Sequence, residues 1–275
     1  MQVIFCLASG RSGTRFLSEL VRLRTHGVVC RHEPYGRNPS MFGRPIYDLA
    51  VGDGAARRAL LERKHRVIER FRGAEAYLET SHSFLKSWFD LAPEFFPEIK
   101  TVRLVRNPLE VARSQADREA LLHRWHFPRR MYRGGDGRPY FRWSLTGLEP
   151  IFAPFAEARL SRFQWYTIQW IEIENRAVDF LCRSTPRLAC FTLESPGGLN
   201  DPGQIERLLQ FLEVPRADNG NWLEGRRNRT PGTPTVVGVP ERREFEAVLA
   251  ELPSTNLKIF SGGPYTQWPW AKMFK

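Results

Sequence analysis

Residues 10 to 14, Gly10-Arg11-Ser12-Gly13-Thr14, put two glycines, two hydroxyls and a guanidinium side by side. Glycines let a backbone turn and approach a ligand closely, and hydroxyls donate hydrogen bonds. A helix N-terminus leaves its first N–H groups unpaired. This chemistry holds an anion. A second set lies in Thr101–Ser114, where Arg106, Asn107-Pro108 and Ser114 follow an apolar run. Arg106 leaves the run at its end, Pro108 suits a helix first turn, and Ser114 falls two turns on, so both side chains can meet one further phosphate. A third set can move protons: Glu33 in His32-Glu33-Pro34, and His82 in Thr80-Ser81-His82.

These sets need a scaffold. Val3–Leu7 reads as a strand and residues 14–23 as the helix after it; 28–31, 76–79, 101–105 and 188–193 read as further strands. Helical spacing covers 55–72, 84–91, the segment from Pro108, 159–182 and 202–212, whereas 35–54 is rich in Gly, Pro and Asn and reads as a loop. Alternating short apolar strands and helices imply an α/β fold: a mostly parallel central sheet of about five strands flanked by helices, a P-loop-like three-layer sandwich. All the candidate residues then gather at the carboxyl ends of the strands, where such sheets bind ligands. No linker is apparent, so 1–275 reads as one domain with an irregular basic and aromatic insert at about 121–158. The tail Trp268-Pro269-Trp270 is expected to dock on the body of the domain.

Composition narrows the chemistry. The formal charge is +11, and only six of the 41 basic residues are lysine. Guanidinium groups suit bidentate capture of phosphate, sulfate or carboxylate, though arginine bias can also follow base composition. The four cysteines show no CxxC spacing, so buried free thiols are expected and no metal site is suggested. No apolar run is long enough for a membrane helix and no cationic leader precedes the first strand, so a cytoplasmic location is expected.

The first loop fails the Walker A pattern, because no Lys-Ser/Thr pair follows its second glycine, and the fourth strand ends in Arg106 rather than in a magnesium-holding aspartate. A divergent P-loop kinase is therefore the weaker enzyme reading. Taken together, the two anion elements resemble the sulfotransferases that use 3′-phosphoadenylyl sulfate (PAPS). Arg11-Ser12-Gly13-Thr14-Arg15 is similar to the family's [KR]-S-G-T-[TS] loop for the phosphosulfate. Leu104-Val105-Arg106-Asn107-Pro108, with Glu110 and Ser114, is similar to its 3′-phosphate element. Weaker similarity continues through Trp165–Leu181, Phe191–Glu194, Asp201-Pro202 and Leu208–Leu212.

The resemblance implies PAPS as co-substrate, adenosine 3′,5′-bisphosphate (PAP) as product and no metal. It implies that Arg11 stabilises charge on the leaving nucleotide, while Ser12, Gly13, Thr14, Arg106 and Ser114 bind phosphates. Arg15 departs from the pattern and either adds a cation or faces solvent. Arg226 and Arg227 lie where the family has a late basic loop, but the usual Arg-Lys-Gly is absent, and a solvated charge run fits equally. For the base, Glu33 resembles the glutamate of carbohydrate-type members and His82 competes as the histidine of phenol-type members. A loop carboxylate in a salt bridge and a hydrogen-bonded loop histidine are the plain alternatives.

The acceptor is expected to carry a hydroxyl, on a carbohydrate, lipid or aryl compound, with residues 123–143 capping its pocket. No nucleic-acid partner is expected, and the oligomeric state is not legible. A non-catalytic polyanion- or nucleotide-binding protein is the remaining alternative, suggested by the charge.

Overall fold

The computed structural model describes residues 1–124, 130–183, 188–217 and 236–274. The chain begins with β1 (Gln2–Ala8), α1 (Thr14–Arg24) and β2 (Val28–Arg31), then α2 (Arg44–Ala50) and α3 (Ala55–Glu69). Next come β3 (Ala76–Glu79), the short α4 (Phe84–Ser87) and α5 (Ala92–Phe95), β4 (Ile99–Arg106) and α6 (Pro108–Arg124). A hairpin of β5 (Met131–Arg133) and β6 (Pro139–Phe141) precedes α7 (Arg162–Arg183) and β7 (Cys190–Ser195). The rest is helical: α8 (Gly197–Asn200), α9 (Pro202–Leu212), α10 (Val239–Glu251) and α11 (Ser254–Leu257), then three short 3₁₀ turns.

Strands β2-β3-β1-β4-β7 form one sheet in that order, every neighbouring pair parallel. The period-2 alternation of a strand explains the layers. On β1, Ile4, Cys6 and Ala8 pack with Leu17 and Leu20 of α1 and Leu208 and Leu212 of α9. Phe5 and Leu7 face the other way, toward Trp88, Ile168 and Ile171. The fold is thus the expected α/β sandwich of three layers. Asp201 caps α9 by accepting from the N–H of Gly203 at 2.8 Å, with Pro202 in the first turn.

Two buried polar networks fix what surrounds the strand ends. Lys64 Nζ lies 2.6 Å from Glu79, the last residue of β3, and donates to Asn38 Oδ1 at 3.1 Å. The Tyr77 hydroxyl donates to Glu79 at 2.8 Å and accepts from Asn38 Nδ2 at 3.0 Å. A buried ion pair adds little net stability over apolar packing, but losing one partner strands a charge. The network therefore pins the chain after Glu33 in one place. On β4, Arg103 pairs with Glu174 of α7 at 2.7 Å, and Tyr265 donates to the same carboxylate at 2.7 Å. Trp270 donates Nε1–H to Glu194 at 2.9 Å and meets Trp170 edge to face, so the tail docks on the body.

The structure departs from the sequence reading in several places. Residues 44–50, expected within a loop, form α2 with Pro45 in its first turn. The helix expected over 84–91 stops at Ser87, and α10 was not anticipated. The insert is more regular than expected: α6 runs to Arg124, the hairpin follows, and Pro150–Phe155 is a 3₁₀ helix. Of the thiols only Cys6 is buried; Cys182, near the end of α7, is exposed. No helix among the described residues is long and apolar enough to cross a membrane.

Candidate active site

The loop between β1 and α1 is built for close approach. Gly10 and Gly13 have φ of +85° and +90°, and a Cβ on Gly13 would lie 2.5 Å from Leu199 Cδ1. Arg11, between them, also sits in the left-handed region at φ +58°, which costs a non-glycine residue about 1 kcal/mol or more. The N–H groups of Gly10, Ser12 and Gly13 have no hydrogen-bond partner among the described residues. Ser12 is fully buried and turns its hydroxyl inward, to Ser9 Oγ at 3.1 Å and to the Gly10 carbonyl at 3.3 Å. It shapes the loop from within, leaving the backbone and Arg11 as the donors that face outward.

The second anion element meets the first at Arg11. Arg11 Nε donates to Ser114 Oγ at 3.0 Å, and Arg106 Nη1 donates to the Arg11 carbonyl at 2.8 Å. The other side of the Arg106 guanidinium forks onto Glu110, at 3.0 and 2.6 Å. Asn107 accepts from the N–H of Leu109 at 3.0 Å and so caps α6, which presents Glu110 and Ser114 on one face. The Arg-Asn-Pro segment thus starts a helix, anchors the loop and aims Arg106. Burial pushes the Arg11 guanidinium down to about 10, with Arg118 and Arg106 adding repulsion and Glu33 opposing, so it keeps its charge at neutral pH.

Glu33 and His82 come together, although 49 positions apart. His82 Nε2 lies 3.2 Å from Glu33 Oε1, and the imidazole packs against the first loop, 3.1 Å from where a Cβ on Gly10 would stand. Phe42 covers the ring at 4.6 Å between centroids. His32 Nδ1 is 3.1 Å from Thr80 Oγ1, which ties the end of β2 to that of β3, and Glu33 follows at φ +47°. That conformation is unusual for a non-glycine residue before a proline, and such strain gathers at functional positions.

Burial pushes the His82 imidazole down to about 4, with Lys86 adding to the push, so at neutral pH the ring is neutral and Nε2–H donates to Glu33. Its Nδ1 is buried without a partner among the described residues. Burial by itself would raise the Glu33 carboxyl; the His82 hydrogen bond together with the nearby positive groups, Arg118 among them, outweighs it and holds the group below the ordinary carboxylate range. With the ring neutral, His82 acts on Glu33 through the hydrogen bond, and Arg118 acts on it as a charge. One carboxylate oxygen remains for another partner, and the side chain is 25% exposed.

Two residues the sequence reading missed carry charges that act on Glu33. Lys86 is fully buried, donates to the Trp143 carbonyl at 2.5 Å, and is pushed down to about 7, first by burial, then against the pull of Glu33 by Arg118 and Arg176. Arg118, one turn beyond Ser114, lays its guanidinium on the Trp143 ring at 4.8 Å. Lys86 had a signal, a lone lysine in the apolar run Phe84–Phe89; Arg118 had only its spacing from Ser114. Arg15 resolves the other way: 56% exposed, it pairs with Glu19 at 3.1 Å and faces solvent. Thr14 is buried at the start of α1. Arg226 and Arg227 lie outside the described residues.

This arrangement makes stability depend on pH. The unfolded chain binds a proton at His82 below its ordinary value of 6.5, whereas the folded chain resists until about 4. Stability is therefore lost as pH falls through that window, by about 3 kcal/mol in full. Lys86, at about 7 folded against 10.5 unfolded, slopes the same way above neutrality. Calorimetric melting between pH 4 and 7 is expected to show Tm falling with acid, and His82→Asn should flatten that fall. An unchanged slope in the variant would assign the acid sensitivity elsewhere.

No family model matches the sequence, and no curated protein matches it. Two solved structures are similar in overall course. One is described as the sulfotransferase domain from the curacin biosynthetic pathway, 13% identical over 79% of this chain and 75% of that chain, with a TM-score of 0.45. The other is a sulfotransferase from Alicyclobacillus acidocaldarius, 15% identical over 93% of this chain and 96% of that chain, with a TM-score of 0.46.

Proposed function

We propose that this protein transfers a sulfuryl group from PAPS to a hydroxyl acceptor. The observation that carries this reading is the convergence at Arg11. The β1–α1 loop and the β4–α6 element, the two motifs that resemble the PAPS elements, are locked to one another through Arg11 to Ser114 and Arg106 to the Arg11 carbonyl. A solvated arginine and an ordinary helix start do not require that meeting. The unpaired loop N–H groups, Arg11 and the start of α1 would hold the phosphosulfate, and Arg106 with Ser114 the 3′-phosphate.

In the transfer, the acceptor oxygen bonds to sulfur as the bond from sulfur to the phosphate oxygen breaks, and that electron pair leaves on the nucleotide. Arg11 is the charge nearest the loop and offsets the developing negative charge. Glu33 takes the acceptor proton on the oxygen that His82 does not hold, and His82 fixes the carboxylate's direction. A depressed carboxylate is fully ionised at neutral pH but weakly basic. It suits a transfer in which the proton moves late, after the acceptor oxygen has become acidic by bonding to sulfur.

The test is binding of PAP by calorimetry without magnesium. The chain is expected to bind PAP in preference to ATP–Mg²⁺, and Arg106→Ala should weaken binding by about ten- to a hundredfold, the worth of a charge-assisted hydrogen bond. Tighter binding of ATP–Mg²⁺ would favour a kinase. Affinity that falls steeply with salt and ignores the 3′-phosphate would favour a polyanion-binding protein.

A further inference from the structure

Arg118 stands on α6 one turn, about 6 Å, beyond Ser114, where its charge acts on both Arg11 and Glu33. Its guanidinium lies 4.8 Å from the centre of the Trp143 ring, and Arg130 lies on the same indole at 4.9 Å. Lys86 donates to the carbonyl of that same tryptophan. Arg118 thus stands among three other cations, Arg11, Lys86 and Arg130. Glu33 is the carboxylate that acts on Arg118, but the two are not within ion-pair distance, and Glu33 is already hydrogen-bonded by His82.

Arg118 itself makes no hydrogen bond and no salt bridge among the described residues. A half-buried guanidinium without an anion is costly, and a ring contact offsets only about 0.5–2 kcal/mol of that cost. Both Arg11 and the nucleotide elements sit on the Ser114 side. Trp143, in contrast, belongs to the insert segment that follows β6. Arg118 therefore lies between Glu33 and the insert, with its planar fork uncommitted.

We propose that Arg118 is the acceptor-recognition residue and that the acceptor is itself an anion. It would be a hydroxyl compound carrying a carboxylate or a sulfate ester close to the hydroxyl that Glu33 deprotonates. This rests on the sulfuryl-transfer reading and deepens it. Because both Arg118 and Arg130 lie on the Trp143 ring, this indole orients cations rather than offering itself to a neutral sugar or aryl ring. A neutral acceptor would leave Arg118 desolvated and unpaired, which is discrimination by an unsatisfied charge.

The test uses PAP-saturated protein and three probes titrated by calorimetry: nitrophenyl glucuronide, nitrophenyl glucoside sulfate and neutral nitrophenyl glucoside. One of the two anions is expected to bind at least about tenfold tighter than the glucoside, as a charged hydrogen-bond pair implies. Which anion wins separates carboxylate from sulfate. Arg118→Gln should erase the difference, Arg118→Lys should restore part of it, and PAP affinity should hold in both. Equal binding of all three probes, or of none, would overturn the proposal. So would an Arg118→Gln that weakens every probe alike, since the residue would then only brace Trp143. Failure of wild-type protein to bind PAP would instead count against the nucleotide reading, and the same probes titrated without PAP would still report anion preference.

Discussion

Glu33→Gln is expected to lower kcat for sulfuryl transfer by about two to four orders of magnitude, the usual worth of a positioned general base. PAP affinity should stay within about twofold, since the glutamine touches no nucleotide element. The substitution is informative because it keeps the geometry. A glutamine oxygen still accepts from His82 Nε2, now 3.2 Å from Glu33 Oε1, and the strained backbone at φ +47° is unchanged. What disappears is the proton-accepting oxygen.

His82 separates the two candidates. Its Nε2 is occupied by Glu33, and its Nδ1 is buried against the first loop, without a partner among the described residues. An acceptor hydroxyl reaches neither nitrogen without the ring turning, so His82→Asn is expected to cost less than Glu33→Gln, through lost positioning. The pH profile distinguishes the roles further. With Glu33 as base and ionised far below neutrality, kcat/KM should be flat from pH 6 to 8 on the carboxylate's account. A larger loss in His82→Asn, together with a rate that titrates near the ordinary imidazole value, would make His82 the base.

Much of this site was legible because its chemistry is carried by short contiguous segments. Gly10–Thr14 and Arg106–Ser114 each hold a turn, a charge and a helix start within a few residues, and apolar strands before them fix which rim they occupy. The five strands were visible for the same reason. Contacts across long sequence distances were not. Glu33 and His82 were read as rivals, and only the pairing of β2 with β3 shows them as partners. Arg106 and Ser114 were read as a second phosphate site beside the first loop, but that both touch Arg11 was not legible. Helices α2 and α10 escaped the reading, although Pro45 and Pro240 mark their first turns, because flanking glycines and charges masked the apolar spacing. Arg118 was invisible, since one more arginine in an arginine-rich chain signals nothing until its neighbours are known.

Arg11→Ala is expected to lower kcat/KM by about two to three orders of magnitude, as loss of a donor aimed at developing charge does elsewhere. It should not lower Tm. Arg11 adopts φ +58°, and burial with the repulsion of Arg118 and Arg106 pulls its guanidinium down to about 10, so the folded state holds this charge at a cost. The hydrogen bond to Ser114 offsets only part of that cost. Glycine at this position relieves the backbone as well, so Arg11→Gly should melt above Arg11→Ala by about 1 kcal/mol of added stability. Lysine keeps the charge but not the fork that reaches Ser114 while facing the loop, so Arg11→Lys should recover some of the rate and little of the nucleotide affinity. A structural arginine would show the reverse pattern, with Tm falling in step with activity and both restored together by lysine. Retained activity in Arg11→Ala would remove Arg11 from the transfer altogether and leave the loop N–H groups as the source of charge stabilisation.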